Sequence, residues 1–347
     1  MDTFRELGTT GLSRDGGVVR DEYLRELQGD RWLSIIREMG NDPIVGAILF
    51  AVEMLLRRVP VSVQPADESQ PALDLAQFVE ECIGDMSAAW ADTLAEILTM
   101  LPYGWAYMEI VYKQRGGDAD APERRSKYAD GRIGWRKWSI RGQETRERWE
   151  FDDTGGVQGM WQRSDNGQSV LIPIEKALLF RTTQRKSNPE GRSILRTAYR
   201  AWYFKRNVEN IEGVGIERDL AGLPVAKVPA QVLAAQGENE RAQLAAIKEI
   251  VTNIRRDEQE GVIWPLVRDE NGNELYQLEL LSTGGTRQFD TSAIIQRYEQ
   301  RVAMSVLADF ILLGHEAVGS YALSATKASM FKTAMQAWLT SIAGVVN

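Results

Sequence analysis

The chain has 347 residues, a formal net charge of −8, 44% apolar residues and 26% charged ones, the composition of a folding chain long enough for more than one structural module. Its acidity, with a pI near 5.1, gives the surface as a whole no electrostatic drive toward DNA or acidic membranes. A single cysteine (Cys82) and a single histidine (His315) supply neither an internal disulfide nor a structural zinc site, so cytosolic folding is expected. The longest apolar run, residues 44–56, is broken by Glu53 and too short to span a bilayer, and no export signal is read at the N-terminus.

Residues 1–41 are polar apart from a cluster at Trp32, Leu33, Ile35 and Ile36, which predicts an extended arm followed by a short helix. In "NDPIVGAILFAVEMLLRRVPVSVQP", Asn41 or Asp42 caps a helix with Pro43 in its first turn, and Ile44, Ile48, Val52 and Leu55 give it an apolar face. Pro60 ends it, and the alternation of Val59, Val61 and Val63 predicts a strand running into Pro65. Two helices follow between residues 73 and 101. Then "WAYMEIVYK", "RIGWRKWSIRG", "ERWEFDDTGGVQGMWQRS" and "SVLIPIEKALLFRT" alternate as strands of one antiparallel sheet, with a hairpin turn at 153–156.

After Arg181 the helical period returns. Ser193 is placed to cap a long helix with Ile194, Ala198, Trp202, Val208 and Ile211 on one face. "LPVAKVP" reads as a short strand, Leu244, Ile247, Val251 and Ile254 as a helical seam, and "GVIWPLV" and "ELYQLELL" as two strands joined by the turn "RDENGN". Ile294, Tyr298, Val302, Val306 and Phe310 recur every four residues behind a cap region at 290–292, which predicts a second long helix. A glycine-punctuated loop, "GHEAVGSYALSA", leads to a last helix carrying Phe331, Ala334, Met335, Trp338, Ile342 and Val345 on one side. That helix is still apolar at residue 347, so a continuation or docking partner is expected for it.

Nucleotide-loop and nucleophile-elbow motifs are absent from the sequence. His315 reads as an exposed loop residue, and the acid pairs Asp152/Asp153 and Glu80/Glu81 as ordinary surface carboxylates. The segment "GRIGWRKWSIRGQETRERW" interleaves Arg132, Arg136, Lys137, Arg141, Arg146 and Arg148 with Trp135, Trp138 and Trp149. Single-strand binders use such a mixture for phosphate pairing and base stacking. A two-faced sheet with a basic outer side and an aromatic core side yields it equally. The broken alternation between Trp135 and Trp138 favours the sheet, with a bulge.

The ordered set "NDPIVGAILFAVEMLLRRVPVSVQP", "YGWAYMEIVYK", "LLFRTTQRKSNPEGRSILRTAYRAWYFKRN", "ERDLAGLPVAKV" and "IIQRYEQRVAMSVLADFILLG" followed by "GSYALSATKASMF" resembles the portal proteins of tailed double-stranded DNA bacteriophages. These form the head-to-tail connector ring at one capsid vertex through which the genome enters and leaves. The resemblance covers the chain from about residue 41. It implies an α+β portal-like subunit, with a mixed wing at 1–190, stem helices at 191–220 and 289–313, and a small αβ clip at 221–288. It further implies a tunnel loop at 314–326 and, at 327–347, a helix leading toward a crown.

By the same resemblance, Trp202, Lys205, Arg206, Arg297, Tyr298 and Arg301 belong to the stem. Arg255, Arg256, Asp257 and Glu258 belong to the clip that meets the packaging motor and later the adaptor. Gly314, His315, Glu316, Gly319, Ser320 and Tyr321 form the DNA-facing tunnel loop. The implied partners are further copies in a closed ring, usually a dodecamer, the terminase large subunit, a head-tail adaptor, the major capsid protein, a scaffold and double-stranded DNA in transit. Assembly in the host cytoplasm and residence in the virion are implied, with no catalytic residue, metal, cofactor or membrane. Two other readings stay open at this point: a single-stranded nucleic-acid-binding virion protein using the Trp-rich segment, and a carboxylate-dependent hydrolase.

Overall fold

The computed structural model describes residues 6, 8–221, 223–234, 237–253, 263–264, 266–272, 274–281, 290–308 and 321–347. It divides into two compact units, Met1–Trp202 with Glu299–Asn347, and Tyr203–Tyr298.

The first unit opens with a two-residue hairpin, β1 (Arg14–Asp15) and β2 (Val18–Val19), then helices α1 (Asp30–Gly40), α2 (Pro43–Arg57), α3 (Gln70–Gly84), α4 (Trp90–Leu98) and α5 (Met100–Tyr103). Asp42 starts α2 as expected, its carboxylate accepting from the N–H groups of Ile44 and Val45 ahead of Pro43. Strands β3 (Trp105–Gln114), β4 (Ile133–Arg141), β5 (Arg146–Phe151), β6 (Val157–Arg163), β7 (Ser169–Pro173) and β8 (Ala177–Arg181) come next. The expected single sheet is two sheets, ordered β4-β3-β8 and β5-β6-β7. Gly142 and a 3-10 turn at Gln143–Thr145 separate β4 from β5, so the chain leaves one sheet and begins the other.

This layering explains the aromatic crowding of β3. Ala106 and Met108 point to one side, into a core with Ile48, Val52, Leu94, Ile97, Trp138 and Phe180. Trp105 and Tyr107 point to the other, where Trp149 meets them edge-on at 5.0 and 5.8 Å. Both faces of β3 are therefore buried, and large rings fill the space between sheets. The Trp135–Trp138 irregularity is a bulge: Lys137 pairs with Val111 and Trp135 with Tyr112, which leaves Arg136 without a ladder partner. Its carbonyl accepts from the Ser87 N–H instead.

The last helix, α10 (Tyr321–Val346), returns to this unit and places Phe331 and Ile342 in the same core. It begins earlier than expected, because "YALSATKA" is rich in good helix formers and holds no glycine or proline. Residues 61–65 form no strand: the alternating valines have no paired neighbour among the described residues.

Two long helices cross between the units by sequence, α6 (Tyr199–Ala221) and α9 (Thr291–Ser305). The first is shorter than expected at its start. Ser193 caps only a 3-10 turn, its Oγ accepting from the Leu195 N–H, and α6 begins at Tyr199. The second unit also holds β9 (Leu223–Lys227), α7 (Ala230–Ala234), α8 (Glu238–Asn253) and β10 (Gln277–Leu281). Here β10 pairs with β9, and the expected hairpin is reduced to the bridge Arg268–Glu274 and a hydrogen bond from the Leu275 N–H to the Val267 carbonyl at 2.8 Å. "LPVAK" offers a five-residue ladder, whereas Pro265 interrupts "GVIWPLV".

Candidate functional site

Helices α6 and α9 run side by side and antiparallel. Within the second unit the rings of Phe204 and Tyr298 stack at 6.2 Å and 19°, and two turns along α6 the Thr291 hydroxyl donates to the Glu212 carboxylate. Tyr203 meets Phe204 edge-on at 5.8 Å, and the Arg297 guanidinium lies 5.3 Å from the Tyr298 ring. Within the first unit Trp202 and Val302 share one buried cluster with Leu27, Ile36, Met39 and Tyr199. Thus α6 packs by aromatic faces at its start and by hydrogen bonding further on, a pattern that holds two antiparallel helices in register.

A family model described as the portal protein of Mu bacteriophage matches residues 33–347. The chain belongs to that portal family. Its members are structural virion proteins and not enzymes, and the family gives the chain a phage portal or connector role at the capsid vertex. The fold is similar to a solved chain in the neck of an empty GTA particle computed with C6 symmetry, with a TM-score of 0.51 and 13% identity over 97% of this chain and 85% of that one. A chain in the neck of a native GTA particle computed with C12 symmetry gives a TM-score of 0.49 and 12% identity over 91% and 76%. No curated protein matches the chain.

Of the residues expected in a stem, Trp202 and Lys205 are buried, while Arg206, Arg297 and Arg301 are exposed. The Lys205 ammonium lies 3.6 Å from Glu209 one turn on, an ion pair that accompanies its burial. Arg255, Arg256, Asp257 and Glu258, expected in a clip, lie outside the described residues, as do Gly314, His315, Glu316, Gly319 and Ser320 of the expected tunnel loop. Tyr321 opens α10.

The junction that launches α6 holds residues that local sequence signals do not reveal. Gly104 ends α5 with φ +94°, and its carbonyl accepts from the Thr182 N–H at 3.0 Å. Gly191 has φ +54°, and a Cβ there would stand 2.3 Å from the Gly104 carbonyl oxygen. Two glycines thus let the backbones touch where the strand layer gives way to α6. The N-terminal arm holds the same junction, with Asp21 paired to Lys186 at 2.9 Å and Glu22 engaging Arg196 by two hydrogen bonds. A cavity of about 110 Å³ lies beneath, lined in part by Trp32, Tyr103, Arg146 and Glu190. Burial pushes the Glu190 carboxyl up, against the opposing pull of Arg146 at 3.3 Å and the Trp149 indole N–H at 3.1 Å. Only Gly104, following an apolar helical run, carries a visible sequence signal, that of a helix C-cap.

The Trp-rich segment serves packing. Trp138 and Trp149 are 3% and 1% exposed, and Trp138 meets Trp90 and Trp135 edge-on at 6.1 and 5.1 Å. Arg141 pairs with Glu109, Arg132 with Asp130 and Arg146 with Asp30 and Glu190. Faces buried in this way offer no base-stacking platform. One acid of each candidate pair is likewise committed: Asp152 accepts from the Thr154 hydroxyl and the Gly156 N–H, which hold its carboxyl down at about 2, and Glu81 pairs with Arg115 at 2.6 Å. Among the described residues no group of three His, Cys, Asp or Glu is placed to hold a metal.

Proposed function

We propose that copies of this chain close into a ring, of twelve by the family's habit, with α6 and α9 as its stem and the genome passing through the middle. The antiparallel pairing of α6 with α9 carries this reading, because it brackets the β9–β10 insert as a stem brackets a clip. Side chains along α6 also favour it: Ile211, Val214 and Tyr203 are 70%, 47% and 44% exposed. A ring closes through two different surfaces on each subunit, and exposed apolar residues on a long helix suit such a contact.

In this reading the insert docks the terminase large subunit during packaging and the head-tail adaptor afterwards, while the outer surface meets the capsid protein and scaffold. Residues 314–320 form the loop toward the bore, with Tyr321 at the start of α10 bordering it. The net charge of −8, repeated around an axis, repels phosphate at the wall, so duplex DNA slides without tight binding. Assembly takes place in the host cytoplasm.

Negative-stain imaging of the purified full chain tests the ring directly. End-on annuli with a central hole are expected, and a monodisperse monomer at micromolar concentration would overturn the proposal. Gly319→Pro is expected to impair packaging or genome retention more than ring formation; equal loss of both would remove the tunnel-loop assignment.

A further inference from the structure

Residues 61–64 have the sequence of a strand and lack its partner. The stretch from Pro60 to Pro65 contains no turn or bend and belongs to no sheet. Val63 leans on the main core, while Val61 remains 36% exposed. Among the described residues, no backbone hydrogen bond reaches Val61, Ser62, Val63 or Gln64. Pro60 and Pro65, which have no N–H, bound this four-residue window of unmet donors.

A second unfilled edge lies elsewhere in the same unit. Among the described residues, strand β7 pairs with β6 and has no strand on its other side. The Ile172 carbonyl lies toward β6, where it would stand 2.6 Å from a Cβ on Gly159. By the alternation of an antiparallel ladder, Ser169 and Leu171 turn their backbone groups outward. No backbone partner meets them among the described residues, and Val170 and Leu171 are 47% and 38% exposed. Edge strands with exposed apolar side chains are templates for another strand.

We infer that residues 61–64 of one copy add as a strand to the outer edge of β7 in the adjacent copy. The inference rests on the ring reading. Two different open edges on each subunit, one short strand and one sheet margin, are the complementary pair that a head-to-tail contact joins. The sheet β5-β6-β7 then gains a fourth strand from its neighbour, which meets the unpaired groups on both sides and covers Val61 and Leu171. Each copy both gives and receives, so every junction in the ring is the same.

Paired cysteines in the full chain test this, combining Val61→Cys or Val63→Cys with Ser169→Cys or Leu171→Cys. Cys82 is buried, so the introduced thiols dominate mild oxidation. At least one pair is expected to give a non-reducing ladder of covalent multimers, with single variants staying monomeric on the gel. Intact rings by negative stain without a ladder from any of the four pairs would overturn the strand addition and leave the ring standing. Absence of rings from the unaltered chain would overturn both. As a check that needs no cross-link, Ser62→Pro is expected to reduce ring formation at least tenfold with an unchanged monomer melting temperature; unimpaired rings would count against the proposal.

Discussion

Phe204 and Tyr298 stack almost parallel, 6.2 Å apart and 19° from coplanar, across the two antiparallel helices of the second unit. Replacing each by Ala singly and together should reveal a coupling of about 0.5–1.5 kcal/mol in a double-mutant cycle followed by denaturant unfolding. Strict additivity would show that the pair does not hold the helices together.

In the first unit, Lys113 and Asp85 form an ion pair at 2.8 Å with side chains 6% and 4% exposed. Burial alone would raise the Asp85 carboxyl. Lys113, the Lys127 N–H and the Ser126 hydroxyl together outweigh it and hold the group below its ordinary range. A depressed carboxyl adds stability above its unfolded value of about 3.9 and loses it as pH falls through the folded value. Lys113→Met is expected to cost about 3–5 kcal/mol near neutral pH, with the gap to the unaltered chain narrowing in acid. Melting curves from pH 7 down to pH 3 check both parts.

Gly191→Ala places a methyl group against the Gly104 carbonyl oxygen in a backbone region that disfavours any side chain. A loss of about 2 kcal/mol or more is expected from the conformation and the clash together. Gly167, which also has positive φ but open space around its Cβ position, serves as the control: Gly167→Ala should pay the conformational part alone. Equal losses at the two positions would show that the close approach carries no weight.

Trp138→Ala empties a site enclosed by Trp90, Trp135 and the main core, so about 3–5 kcal/mol of stability should disappear. Single-stranded oligonucleotide binding should be negligible before and after the change. Salt-dependent affinity that vanishes with Trp138 would restore the nucleic-acid reading.

Local periodicity made much of this fold legible. The capped helix from Pro43, the alternation in β3 and the apolar face of α10 all follow from neighbours a few residues apart, and such patterns survive in a bare sequence. The split into two sheets was not legible, because the partner of a strand is set by distant packing and Gly142 is one glycine among many. Nor was the pairing of β10 with β9, which joins segments separated by α7 and α8. At the junction, Glu22 with Arg196 and Gly104 with Gly191 are contacts between far-apart segments, and no spacing rule brings them together.

Phe331 and Ile342 come from α10 and settle beside Ile48 and Val52, residues made far earlier in synthesis. A nascent chain on the ribosome therefore cannot seal its principal apolar interior until α10 has been made. Until then Leu98, Met108 and Phe180 lack their final cover, so prematurely terminated products should be aggregation-prone clients for chaperones.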